Sequence, residues 1–126
     1  MQTCVVIEDS VRVREIAVGL LADLGFMAYG AEGVEDGLAK MAEVKPDLVL
    51  LDWDLPKLGA LDVLTGTAEA TLPRPKTILM ATENDPKQFA LARAAGAASY
   101  MLKPFDRHDF ARALQHAGVD VTLGAA

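Results

Sequence analysis

Five short apolar runs punctuate the chain: Cys4-Val5-Val6-Ile7, residues 26–31, Leu48-Val49-Leu50-Leu51, Thr77-Ile78-Leu79-Met80-Ala81 and Ser99-Tyr100-Met101-Leu102. Most are continuous rather than alternating and rich in Val, Ile or Leu. Strands buried on both faces read this way, as in a parallel sheet. The second run is weaker, with Gly30 inside it, and reads as an edge strand. Between the runs the period changes. Val13, Ile16, Ala17, Leu20, Leu21 and Leu24 recur at helical spacing as one apolar stripe, which Gly25 ends. A second helix is predicted over roughly 34–44, stopping before Pro46, and a third over roughly 60–70, interrupted by Gly66. The fourth opens with Asp85 as N-cap and Pro86 at its first position, runs to about 95 and closes at Gly96. The fifth opens with Asp106 as N-cap, runs to about 117 and stops at Gly118.

Five strand–helix units in a row predict an α/β domain, doubly wound, with a parallel sheet and right-handed crossovers. The domain is expected over 1–118, with 119–126 as a short tail. Composition agrees with a single packed unit: 126 residues, 52% hydrophobic and 24% charged, which excludes wholesale disorder. The net charge of −6 argues against nonspecific nucleic-acid or anionic-membrane binding. One cysteine, Cys4, excludes an internal disulfide framework and a cysteine-rich zinc site; an inert buried thiol is expected. No apolar run approaches the roughly 20 residues that span a bilayer. The start, Met1-Gln2-Thr3, shows no basic n-region, so a reducing, cytoplasmic setting is the expectation.

In sheets of this kind ligands sit at the carboxyl ends of the strands. Glu8 and Asp9 follow the first strand, Asp52, Trp53 and Asp54 the third, Thr82 the fourth, and Lys103-Pro104 the fifth. Clustered carboxylates repel unless protonated or bridged by a cation, and Mg²⁺ suits one or two carboxylates plus a phosphate. Lys103 and Thr82 then read as ligands for an anion, and a carboxylate that becomes phosphorylated would use all of these groups. Asp9 and Ser10 also suit a plain helix cap. Asp52 differs, because its successor does not open a helix cleanly.

Ile7-Glu8-Asp9, Leu50-Leu51-Asp52-Trp53-Asp54-Leu55-Pro56, Met80-Ala81-Thr82 and Tyr100-Met101-Leu102-Lys103-Pro104-Phe105 resemble the receiver domain of two-component response regulators. The resemblance covers 1 to about 118, and Thr82 follows Asp52 by 30 positions as Lys103 follows Thr82 by 21. It implies a flavodoxin-like, CheY-like five-stranded sheet with strand order 2-1-3-4-5. It implies Asp52 as phosphoacceptor, served by a phosphohistidine on a histidine kinase or histidine phosphotransferase. Asp9 and Asp52 would bind Mg²⁺, with Glu8 beside them and the backbone carbonyl of Asp54 as a further ligand. Thr82 would bond a phosphoryl oxygen. Lys103 would pair with the carboxylate and then with the phosphoryl group. Tyr100 would be the aromatic switch that turns inward as Thr82 moves. The Lys103–Pro104 bond is cis in much of the family.

Three departures carry consequences. Glu8 stands where an aspartate is commoner, and its extra methylene favours water-mediated coordination. Glu83 adds bulk and like charge where the family usually keeps a small residue, unless it points to solvent. Asp54 and Asn84 occupy positions that tend to tune autodephosphorylation. By resemblance, a donor docks on the first-helix face that includes Val11, Arg12, Glu15 and Val18, all off the apolar stripe. The face that changes on activation would include Phe89, Arg93, Tyr100, His108 and Arg112, signalling from the fourth helix, fifth strand and fifth helix to a protein partner. Trp53 reads both as packed aromatic and as a border of the site. His116, Glu32, Glu35, Asp36, Asp62 and Glu69 read as solvated surface.

The expectation is a monomeric signalling module that catalyses only its own phosphorylation and dephosphorylation, without direct nucleic-acid binding or membrane insertion. Leu50-Leu51-Asp52-Trp53-Asp54 also resembles the first motif of haloacid-dehalogenase-type phosphatases. Against that, no acidic pair follows Lys103, Pro56 replaces the threonine expected there, and the acidic pair comes at the first strand. A degenerate receiver has Glu83 as its only motive. A flavin-binding relative is disfavoured, since no Ser/Thr/Gly-rich phosphate loop follows the first strand.

Overall fold

The apolar runs form β1 (Thr3–Ile7), β2 (Met27–Ala31), β3 (Leu48–Asp52), β4 (Lys76–Ala81) and β5 (Ser99–Leu102). The helical stretches form α1 (Val11–Asp23), α2 (Val34–Val44), α3 (Gly59–Ala70), α4 (Pro86–Ala94) and α5 (Arg107–His116). The structure is a computed structural model that describes residues 2–55, 59–70 and 75–119, with 66–70 described by backbone alone. Expectations that fall on Pro56, on the side chain of Glu69 and on the tail beyond 119 lie outside the described residues. All strand pairs are parallel and the order is β2-β1-β3-β4-β5, the doubly wound arrangement expected. Among the described residues no helix is long and apolar enough to cross a membrane.

Alternate residues of the central strands feed opposite faces. Cys4, Val6, Leu48, Leu50, Ile78 and Met80 meet Ala17 and Leu21 of α1 and Phe110 and Leu114 of α5. Val5, Ile7, Val49, Leu51 and Leu79 meet Met41 of α2, Val63 and Leu64 of α3 and Ala92 of α4. This explains the continuous apolar runs: each strand serves two cores. Burying one such aliphatic side chain contributes about 1.5–3 kcal/mol. Only Ala31 of β2 is buried, as suits an edge. Cys4 is fully buried, and burial pushes its thiol well above the ordinary range.

The caps follow the sequence. The hydroxyl of Ser10 accepts from the Val13 N–H, Asp85 accepts from the N–H groups of Lys87 and Gln88, and Asp106 and Asp109 form a reciprocal capping box. Gly25 closes α1 at φ 92°. Two expectations need correction. The buried line of α1 runs through Ala17 and Leu21; on its two flanks Val18 packs on the core while Ile16 is 48% exposed. Gly66 does not interrupt α3, which runs unbroken from Gly59 to Ala70.

Candidate functional site

The carboxyl ends of β1, β3, β4 and β5 lie along one edge of the sheet, and their end residues build the site. Asp52 closes β3 and is 1% exposed. Its Oδ1 accepts from Lys103 Nζ at 3.0 Å and from the Asp54 N–H at 2.9 Å. Lys103 follows β5, and its N–H donates to the Ala81 carbonyl at 2.7 Å. The Lys103–Pro104 peptide is cis, as the resemblance implied. Glu8 follows β1 and is fully buried. Its N–H donates to the Ala31 carbonyl at 3.0 Å, its carbonyl accepts from Arg14 Nη1 at 2.7 Å, and its Oε2 accepts from the Ser10 N–H at 3.0 Å. Glu8 Oε1 is ion-paired with Lys103 Nζ at 2.6 Å. Asp9 is exposed beside it.

Burial pushes the Glu8 carboxyl up to about 7, against the pull of Lys103 and the Ser10 N–H, and the neighbouring Asp9 and Asp52 push the same way. Asp9 is held below the ordinary carboxylate range, first by its contact with Glu8 and further by Asp52 and Lys103. Burial works against the Lys103 ammonium, but its pairing with Glu8 and Asp52 outweighs this and raises its pKa. One ammonium thus faces more negative charge than it neutralises. One carboxylate oxygen from each of Glu8, Asp9 and Asp52 lies within 4.8 Å of the other two. An all-oxygen donor set of three carboxylates sharing one ammonium fits a small hard cation such as Mg²⁺.

Asp54 gives the sequence reading an unexpected contact. Its carboxylate, 40% exposed, accepts from the Thr82 N–H at 3.1 Å and stands 3.7 Å from Lys103 Nζ. The residue expected to supply a backbone carbonyl therefore also ties the end of β4 to the end of β3. Thr82, Glu83 and Asn84 are exposed at the mouth, so Glu83 stands towards solvent. Trp53 is half-buried against the core, and its indole N–H donates to Gln88 Oε1 of α4 at 3.3 Å.

Tyr100 is 39% exposed and stacks on Phe89, with ring centroids 3.7 Å apart and 15° between planes. Phe89 itself is 8% exposed, which corrects its expected place on an open partner face: the Tyr100 ring packs against it. Arg93, Tyr100, Arg112 and His116 line a groove floored by β5, whereas His108 is exposed outside it. On α1, Val11, Arg12 and Glu15 are exposed as expected, but Val18 is half-buried and packs inward. The reading missed Arg14 and Gln88, because no local spacing rule reports a bond from a helix to a distant carbonyl or indole.

Residues 4–115 match the response regulator receiver domain family. The protein-glutamate methylesterase/protein-glutamine glutaminase 1 of Methanospirillum hungatei is 34% identical over 105 residues, 79% of this chain and 30% of that protein. The chain thus spans less than a third of that relative's length. Chemotaxis protein CheY-3 of Vibrio cholerae is 30% identical over 104 residues, 79% of this chain and 78% of that protein. A crystal structure of a response regulator receiver domain protein from Clostridium thermocellum superposes at TM-score 0.82 with 27% identity, covering 93% of this chain and 94% of that one.

Proposed function

Because the chain belongs to the response regulator receiver domain family, we propose that it takes a phosphoryl group from a phosphohistidine on a kinase or phosphotransferase onto Asp52. The observation that carries this reading is a buried carboxylate paired to Lys103 at the end of a central strand, with a second buried acid and an exposed one beside it.

Phosphoryl transfer needs in-line placement and charge neutralisation more than acid–base chemistry. The two hydrogen bonds to Oδ1 orient the Asp52 carboxylate and leave Oδ2 to attack phosphorus. As that oxygen–phosphorus bond forms, the phosphorus–nitrogen bond of the donor breaks and imidazole leaves with the bonding pair. Asp9 and Asp52, with Glu8 behind them and the Asp54 carbonyl beside them, would hold Mg²⁺. Bound there, the ion would supply positive charge against the phosphoryl oxygens. Lys103 passes from the Asp52 carboxylate to a phosphoryl oxygen, and the Thr82 hydroxyl closes on another. By the family resemblance, Tyr100 then turns inward as Thr82 moves, which would take its ring off Phe89. The two-state change then reaches a protein partner through α4, β5 and α5.

We place the module in the cytoplasm, as a monomer acting through proteins rather than on nucleic acid, with 1–118 as its working unit. The test is intact mass after incubation with acetyl phosphate and Mg²⁺. The expected result is one added phosphoryl group on the wild type and none on Asp52→Asn. Equal mass gains in the two, no gain in either included, would refute the reading.

A further inference from the structure

Arg14 takes no part in the chemistry above, yet it holds the strand end that carries it. It lies half-buried on α1, and its Nη1 donates to the Glu8 carbonyl at 2.7 Å. To reach there its stem crosses the edge strand β2 over Gly30. A Cβ at Gly30 would stand 3.0 Å from Arg14 Cδ and 3.2 Å from Cγ, so this glycine supplies room for the arginine. The Glu8 residue is then fixed at three points: its N–H on Ala31, its carbonyl by Arg14, its Oε2 on the Ser10 N–H. The carboxylates of Glu8 and of Asp9, the next residue, can aim at a common centre only if this turn of chain is held.

We infer that Arg14 is a positioning residue for the cation site, acting through the Glu8 main chain without touching the ion. The inference rests on the Mg²⁺ reading of the Glu8, Asp9 and Asp52 cluster. A charge-assisted bond from a planar guanidinium is both strong and directional, which suits the task. Partners that orient metal ligands from outside typically govern about 10–100-fold in metal affinity.

The experiment is Mg²⁺ titration of the full chain, read by Trp53 fluorescence, with thermal melts of the metal-free proteins alongside. Arg14→Ala should weaken Mg²⁺ binding about tenfold or more. Arg14→Lys keeps the charge and a donor and should recover part of the loss. Gly30→Ala leaves the arginine in the chain but displaces its stem, and should weaken binding as well. The order of the dissociation constants should differ from the order of the melting temperatures. Arg14→Ala binding within twofold of wild type overturns the inference, as do affinities that merely track stability. Should Arg14→Ala be unfolded, Arg14→Lys and Gly30→Ala decide, and wild-type affinity in both overturns it. A wild type with no saturable Mg²⁺ response overturns the reading of the site itself.

Discussion

If Asp52 accepts a phosphoryl group as proposed, Asp54 competes with that anion. Its carboxylate holds the Thr82 N–H at 3.1 Å and stands 3.7 Å from the Lys103 ammonium. An incoming phosphoryl group wants the same two donors. Asp54→Asn removes the charge while keeping a side-chain carbonyl. The pair is partly exposed, so its worth is about 0.5–1 kcal/mol. At saturating Mg²⁺, beryllofluoride should therefore bind roughly two- to fivefold tighter to Asp54→Asn, as read by Trp53 fluorescence. Weaker binding would mean that the carboxylate organises the pocket rather than occupying it. Sequence alone placed Asp54 at the site but could not sign its effect, because the sign depends on where the side chain points. Asp9, Asp52, Thr82 and Lys103 were legible for a simpler reason: each sits at or just past a strand end, and the sheet topology does the gathering. Arg14 and Gln88 were not legible, since their bonds depend on how α1 and α4 lie across the sheet.

At the level of elements, the strands were readable because continuous apolar runs leave little freedom of phase. The helices were less so. In α1 both Ile16 and Val18 are apolar, and only packing decides that Val18 turns in and Ile16 out. Close contact between elements also hangs on single atoms. A Cβ at Gly37 of α2 would lie 2.5 Å from Ile7 Cδ1 and 2.8 Å from Cγ1 on β1. Gly37→Ala gains about 1 kcal/mol of helix propensity but overpacks a full core, at about 1–3 kcal/mol. The expected net is a loss of up to about 2 kcal/mol in urea unfolding at constant m. Ile7→Val, which removes the methyl nearest the clash, should make the double variant more stable than additivity allows. The capping box of α5 offers a test by pH. The backbone and side chain of Asp109 hold the Asp106 carboxyl below its ordinary value. A depressed folded-state pKa means stability that is present above the unfolded value of 3.8 and lost as pH falls through the folded one. Asp106→Asn caps without that charge. Wild type should be the more stable protein near pH 6, and the two should converge towards pH 2.

For the whole molecule, the two cores and the site are mechanically one object. The strands that end in Glu8, Asp52, Thr82 and Lys103 are the strands whose flanks fill both hydrophobic clusters. The site cannot be ordered while the sheet is not, so a ligand bound across the strand ends reports on global folding. A ligand that binds only the native state stabilises it by about 2.7 kcal/mol at one hundred times its dissociation constant. For a domain of 126 residues this corresponds to a melting temperature raised by roughly 5–15 °C. Mg²⁺ with beryllofluoride should produce that rise in the wild type. In Asp52→Asn the beryllofluoride increment should vanish, because the oxygen that would hold it is gone. In Phe89→Leu, which removes the ring under Tyr100 but leaves the strand ends intact, the increment should persist while the tyrosine signal that accompanies it is reduced. Loss of the increment in Phe89→Leu as well would show that the aromatic stack helps to hold the pocket in its binding form. Persistence would place the stack downstream of it, as the part of the sheet edge that carries the change outward.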